Sequence, residues 1–214
     1  MNQYLVFSIG FLAQILFSVR QITQWIASEK AGQILSPLLF WQLSILASFL
    51  LMVYGILRHD LVIILGQVVT YGVYIRNLHY HGFWTKIPRP VRLFAVLFPG
   101  LAVCWLLTGE TYSIQKIFAN KAISSSLMTW GVIGQAVFTF RFVYQWYYSE
   151  KRQQSILPMG FWVISITGSI MVLSYAIFRK DPVLFVGQLF GTVVYSRNIL
   201  IGFRHGQSPK HQLR

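Results

Sequence analysis

Two arginines, Arg20 and Arg141, each lie inside an apolar run of a 214-residue chain. A guanidinium at the centre of a membrane-spanning helix costs about 2.5–3.5 kcal/mol on insertion scales, so each asks for a partner or a ligand. The surrounding polar residues come in pairs as well. Gln14, Arg20 and Gln24 recur as Gln135, Arg141 and Gln145, and Gln67, Tyr74 and Asn77 recur as Gln188, Tyr195 and Asn198. Of the 5 acids, Glu29, Asp60, Glu150 and Asp181 sit at repeated positions near expected helix ends, and none lies mid-span. The sequence therefore offers the two arginines no deep carboxylate. An oxyanion on a ligand, phosphate or carboxylate, would supply the missing counter-charge, and arginine's planar fork matches it. Gln14, Gln24, Gln67 and Tyr74, with their copies, suit the hydroxyls of an attached sugar. The competing reading has Arg20, just past its helix midpoint, snorkelling to the interface or bonding helix-end carbonyls.

Other chemistries find little support. There is no phosphate-cradling glycine loop, HExxH, nucleophile elbow or close carboxylate pair, so no catalytic residue is assigned and no enzyme is expected. No cofactor is expected. His59, His79, His81, His205 and His211 are unrepeated and lie near loops, which argues against a metal site. The single cysteine, Cys104, falls in an apolar run and reads as a small buried hydrophobe. Asp60 and Asp181 read as helix caps. Glu29 and Glu150 are expected to pair with Arg76 and Arg197, and Trp25, Trp41, Trp84 and Trp146 to form interfacial belts. Lys116 and Lys121 read as a solvated loop face.

The elements that must position these residues follow from one repeat. Shifted by 121 residues, Gly10 to Asn77 lies on Gly131 to Asn198 without a gap, with 27 identities in 68 positions. With 55% hydrophobic and 11% charged residues and a mean hydropathy of +0.56, the chain is too apolar for a soluble domain. Its net charge of +13 comes from basic residues set between apolar spans, not from a patch interleaved with aromatics, so nucleic acid is not an expected partner. Seven spans are expected: 4–27, 38–57, 61–80, 91–108, 127–148, 159–178 and 182–202. The first lacks the early basic residues of a secretory signal and is kept as a span. Pro37, Pro158 and Pro182 suit first helical turns.

The expected fold is thus an all-α integral membrane protein of seven transmembrane helices. Residues 1–81 form the first three-helix repeat, 82–126 a connector holding the fourth helix, 127–203 the second repeat and 204–214 a basic tail. The fourth helix restores direction, so the repeats run parallel about a shared axis. Lys and Arg in the loops place the C-terminus in the cytoplasm and the N-terminus outside. Positions that stay identical between the copies should face that axis, while positions that drift face lipid. On the first helix Gly10, Gln14, Phe17, Arg20, Gln24, Trp25 and Ser28 share one arc. Phe40, Trp41, Ser44 and Ser48 do so on the second, and Gly66, Gln67, Tyr74 and Asn77 on the third.

The run Gln-x5-Arg-x3-Gln-Trp-x2-Ser-Glu-Lys at Gln14 to Lys30 and Gln135 to Lys151, Pro-x2-Phe-Trp at Pro37 and Pro158, and Gly-Gln with Tyr-x-Arg-Asn at Gly66 to Asn77 and Gly187 to Asn198 resemble the lipid-A-disaccharide synthase N-terminal domain family. That family is similar to the SWEET, PQ-loop and KDEL-receptor membrane proteins, and the resemblance implies a SWEET-like three-plus-one-plus-three arrangement in a bacterial inner membrane. It also implies a role with lipid A or another envelope glycolipid. The Pro-Gln pair of the PQ-loop proteins is replaced by Pro37-Leu38 and Pro158-Met159, and no glycosyltransferase domain is expected within this length. Three roles remain open. The chain binds an anionic glycolipid or lipid-linked sugar phosphate, with or without translocating it; it supports a separate glycosyltransferase; or it carries small sugars. Membrane lipids are expected partners in each.

Overall fold

The structure is a computed structural model in which residues 3–57, 61–108, 125–179 and 182–204 are described. Asp60, Asp181, His59, His205, His211, Lys116 and Lys121 lie outside them, with the tail beyond Arg204. Among the described residues all regular structure is helical. The helices are α1 (Gln3–Ala31), α2 (Leu38–Leu57), α3 (Leu61–Tyr80), α4 (Arg89–Thr108), α5 (Ser125–Arg152), α6 (Met159–Arg179) and α7 (Pro182–Arg204), with one 3-10 turn at Trp84–Lys86.

The boundaries have local causes. α1 ends one residue before Gly32, whose φ of 66° is the left-handed C-terminal cap that glycine adopts at no steric cost. At the equivalent position of the second repeat stands Gln153, also left-handed at φ 51°, and its side-chain amide donates to the Glu150 carbonyl at 2.8 Å. Pro37 and Pro158 stand immediately before α2 and α6, and their carbonyls accept from the Phe40 and Phe161 amides.

α2 packs between α1 and α3, and α6 between α5 and α7 in the same way. The two triplets meet along two seams, α1 against α7 and α3 against α5, while α4 lies on α3 and α2. Small residues let the helices approach. A Cβ at Gly168 would come within 2.7 Å of the Phe138 backbone, so α5 and α6 touch there main chain to side chain position.

Drift between the copies marks part of the outer surface, although drifted positions such as Ala13, Met52 and Leu157 are buried. Leu12, Ile22 and Ile133 are exposed, as are Phe11, Ile15 and Ile26 on the same helix and Leu93, Leu97 and Leu101 on α4. Such apolar exposure is far more than a water-facing domain tolerates. Among the described residues three of the seven helices expected to span, Tyr4–Ala31, Leu38–Leu57 and Met159–Phe178, are long and apolar enough to cross a membrane. Identity between the copies marks the interior: Gly10, Arg20, Gln24, Ser28, Phe40, Trp41, Ser44, Ser48, Tyr74 and Asn77 are all buried.

Three expectations are corrected. Trp41 is completely buried, its indole donating to Ser36 at 2.8 Å, and so belongs to the core rather than to an interfacial belt. Cys104 is exposed, because α4 contacts only one side of the bundle and leaves its outer face open. Gln14 and Gln135 are exposed too, because they lie at the edge of the arc, about 120° around the helix from Arg20 and Arg141, while Ala13 and Gly134 at the same level are buried.

Candidate arginine site and the polar belt beneath it

Arg20 on α1 and Arg141 on α5 are each 4% exposed, which rules out snorkelling for either. They line one internal cavity with Gln21, Gln24, Phe161, Trp162 and Tyr195. Its free space is about 10 Å³, roughly the room of a single water molecule.

In place of carboxylates the guanidinium groups meet hydroxyls and ring faces. Arg20 donates to Ser44 Oγ at 2.7 Å and to Tyr74 Oη at 3.2 Å, and the rings of Phe17, Phe40, Tyr74 and Phe142 lie 4.6–5.7 Å from it. Arg141 reaches only Tyr195 Oη, at 3.5 Å, and its guanidinium lies 3.3 Å from the Phe138 ring centroid. Desolvated cation–π contacts contribute on the order of 2 kcal/mol, comparable to the insertion cost of the charge. Rings can therefore hold two arginines in the core, but they leave the hydrogen-bonding edges unsatisfied. The Nε of both arginines, Oε1 of Gln21 and of Gln24, and the Trp162 indole nitrogen are buried without a hydrogen-bond partner. All five residues line the one cavity. Leaving such a group unmet costs about 1–3 kcal/mol, so five on one small space mark a place built for something polar.

Beneath the cavity, toward the C-terminal ends of α1, α3, α5 and α7, a polar belt joins the two repeats crosswise. Gln24 donates to Asn198 at 2.9 Å, and Gln145 to Asn77 at 3.0 Å. Each glutamine also bonds the serine one turn on and the loop carbonyl beyond it: Ser28 and Leu35, or Ser149 and Ile156. Ser36 and Ser155 meet at 2.8 Å. Outermost, Glu150 accepts from Arg76 Nε and NH2 at 2.8 and 2.5 Å and from Tyr80 at 2.7 Å, while Glu29 pairs with Arg197. The glutamate–arginine pairing expected from sequence is present, with each partner drawn from the opposite repeat. Glu150 stands just beyond the apolar part of α5, and the Arg76 guanidinium holds its carboxyl down at about 2.

The twelve residues singled out by the repeat thus separate. Arg20, Arg141, Gln24 and Tyr195 line the cavity, and Tyr74 holds Arg20 from behind. Gln145, Asn77 and Asn198 belong to the belt. Gln67 and Gln188 turn to their own repeat, accepting from Ser48 and Ser169 at 2.8 and 2.9 Å, and Gln14 and Gln135 stay at the surface. Gln21 was missed. It differs from its counterpart Phe142, and a comparison that rewards identity passes over it. Trp162 was seen only as one of a repeated pair.

The polar pattern that places these side chains is shared with known proteins. A profile of the lipid A biosynthesis N-terminal domain matches residues 9–79 and 130–200, once in each repeat. The chain belongs to the lipid A biosynthesis N-terminal domain family. Within the family's curated relatives it is 29% identical over 189 residues to a lipid-A-disaccharide synthase of Chlamydia pneumoniae, covering 84% of this chain and 30% of that protein. A lipid-A-disaccharide synthase of Chlamydia felis is 25% identical over 216 residues, covering 97% of this chain and 35% of that protein, and one of Chlamydia abortus is 28% identical over 194. The chain spans about a third of the length of these relatives. No solved structure matches it.

Proposed function

We propose that this family member is a non-enzymatic module of the bacterial inner membrane that binds an anionic glycolipid or lipid-linked sugar phosphate, with the charged group held in the cavity that the two arginines build. In this reading all seven helices span the bilayer as two parallel triplets joined by α4, with the N-terminus outside and the polar belt on the cytoplasmic side. The observation that carries it is that five residues lining one cavity, two of them arginines and none of them acidic, each have a buried polar atom without a partner, three donors and two acceptors. Donors suit phosphate oxygens, and the glutamine carbonyls suit sugar hydroxyls. The family's association with lipid A biosynthesis agrees with that ligand class.

A space of about 10 Å³ does not admit a sugar phosphate, so entry requires the triplets to part. The belt of crosswise bonds is the contact that would have to open on one side of the membrane, and passage across the bilayer is then an alternation of the two ends. Mass spectrometry of protein extracted gently from its own membrane tests the reading. An anionic glycolipid retained by the unmodified protein and lost from an Arg20→Gln/Arg141→Gln double variant supports it. Equal retention by both removes it.

A second reading is favoured by the names and lengths of the relatives: the module serves a glycosyltransferase as a membrane platform. Co-purification with such an enzyme, unaffected by the arginine substitutions, would support that role. Uptake of uncharged labelled sugar into proteoliposomes would point instead to a small-sugar carrier.

A further inference from the structure

We infer that the two arginines have different jobs: Arg141, with the Trp162 indole, takes the ligand's anionic group, Gln21 reads an adjacent hydroxyl, and Arg20 is a positioning residue. This rests on the proposed binding of a sugar phosphate and adds which half of the site does the binding.

The asymmetry begins in the sequence. Two of the positions at which the copies differ bear on the cavity: Gln21 stands where the second repeat has Phe142, and Ser36 where it has Leu157. Each divergence frees polar atoms on the same side. Because Ser36 is present, the Trp41 indole has an acceptor; because Leu157 replaces it, the Trp162 indole has none. Gln21 donates to Tyr195 Oη at 3.3 Å, sharing the hydroxyl that Arg141 reaches at 3.5 Å, and leaves its own carbonyl unmet.

The cavity is displaced accordingly. Trp162, Val194 and Tyr195 line it, whereas their counterparts Trp41, Val73 and Tyr74 do not. Arg20 is already engaged by two hydroxyls, at 2.7 and 3.2 Å, which fix its plane. Phe142, packed on Tyr74 with centroids 5.3 Å apart, fills the first-repeat side where a second pocket would otherwise form. Arg141 retains the freer guanidinium, and Trp162 and Gln21, whose indole N–H and carbonyl are unpartnered, line the same cavity. That combination recognises an oxyanion bearing a neighbouring hydroxyl, as in a sugar phosphate, and not two anions related by symmetry.

Binding to the full chain in phosphatidylcholine nanodiscs tests this, with inorganic phosphate, glucose 1-phosphate and an alkyl ester of glucose phosphate as probes. The unmodified protein is expected to prefer the sugar phosphates to inorganic phosphate. Arg141→Gln is expected to weaken all three by about tenfold or more, with Arg141→Lys recovering part of the phosphate affinity. Arg20→Gln is expected to hold affinity within about threefold while lowering thermal stability. Gln21→Phe, which restores the residue of the equivalent position, is expected to erase the preference for sugar over inorganic phosphate and leave phosphate binding intact. A tighter fit of the free or of the alkyl ester identifies the soluble or the lipid-borne source, and either supports the assignment. Loss of binding in Arg20→Gln equal to that in Arg141→Gln, or a sugar preference that survives Gln21→Phe, overturns the assignment alone. Absence of binding by the unmodified protein overturns both the assignment and the reading beneath it.

Discussion

Arginine in an apolar interior is usually read as half of an ion pair, and here the other half is made of π-faces. Phe142 is the shared wall, 5.6 Å from the Arg20 guanidinium and 4.7 Å from that of Arg141. Replacing it by alanine removes a buried ring from both cages. Phe142→Ala is expected to cost about 3–5 kcal/mol, read as a lowered unfolding midpoint in detergent. A loss under about 1 kcal/mol would mean the rings do not hold the arginines. The two repeats' identities located Arg20, Arg141, Gln24 and Asn77 because a position facing a shared axis is constrained twice. The same reasoning is blind to Gln21, since an asymmetric ligand requires the copies to differ where it is read. Gln14 and Gln135 misled for a different reason: identity between the copies put them on the arc of the site, but they lie at its edge, about 120° around the helix from the arginines, where the neighbouring helices no longer cover them.

The helices themselves were readable almost to the residue. α2 and α3 match the expected 38–57 and 61–80, because Pro37 and the charged breaks stop the apolar runs. α1 and α5 run further than expected, to Ala31 and Arg152, since Glu29 and Glu150 are satisfied by arginines of the opposite repeat and need not leave the helix. Those partners are far apart in sequence, so only the folded arrangement shows the crosswise choice. The Glu150–Arg76–Tyr80 cluster carries a sign that can be checked. A carboxyl held near 2 against an ordinary value of 4.5 stabilises the fold fully above about pH 4.5 and loses that contribution as pH falls toward 2. The stability difference between the unmodified protein and Glu150→Gln is therefore expected to shrink steadily across that interval; a difference independent of pH would contradict the pairing. Close packing of α5 on α6 makes a second test. Gly168→Ala places a Cβ 2.7 Å from the Phe138 backbone and is expected to destabilise by about 1–3 kcal/mol. The equivalent Ala47, buried between α1 and α2, shows that the first repeat already accommodates the methyl group at that position.

The molecule as a whole is two triplets fastened at one end. Apart from Gln21–Tyr195 at the cavity, the crosswise bonds described, from Gln24–Asn198 to Ser36–Ser155, join one repeat to the other near the C-terminal ends of α1, α3, α5 and α7. If that end must open for a ligand to reach the arginines, locking it should stop access. Cysteines at positions 36 and 155, whose serine hydroxyls meet at 2.8 Å, with Cys104→Ala as background, are expected to cross-link the repeats. The cross-linked protein should lose exchange of bound sugar phosphate, and a reductant should restore it; exchange that continues through the cross-link would place the entrance elsewhere. The most direct test is anomalous diffraction from crystals grown from protein equilibrated with tungstate, a heavy phosphate analogue. A single peak within hydrogen-bonding reach of Arg141 and the Trp162 indole, absent from Arg141→Gln crystals, is the expected result. Crystals in which that cavity holds only water, while tungstate collects on the surface lysines, would show that the buried arginines are no anion receptor.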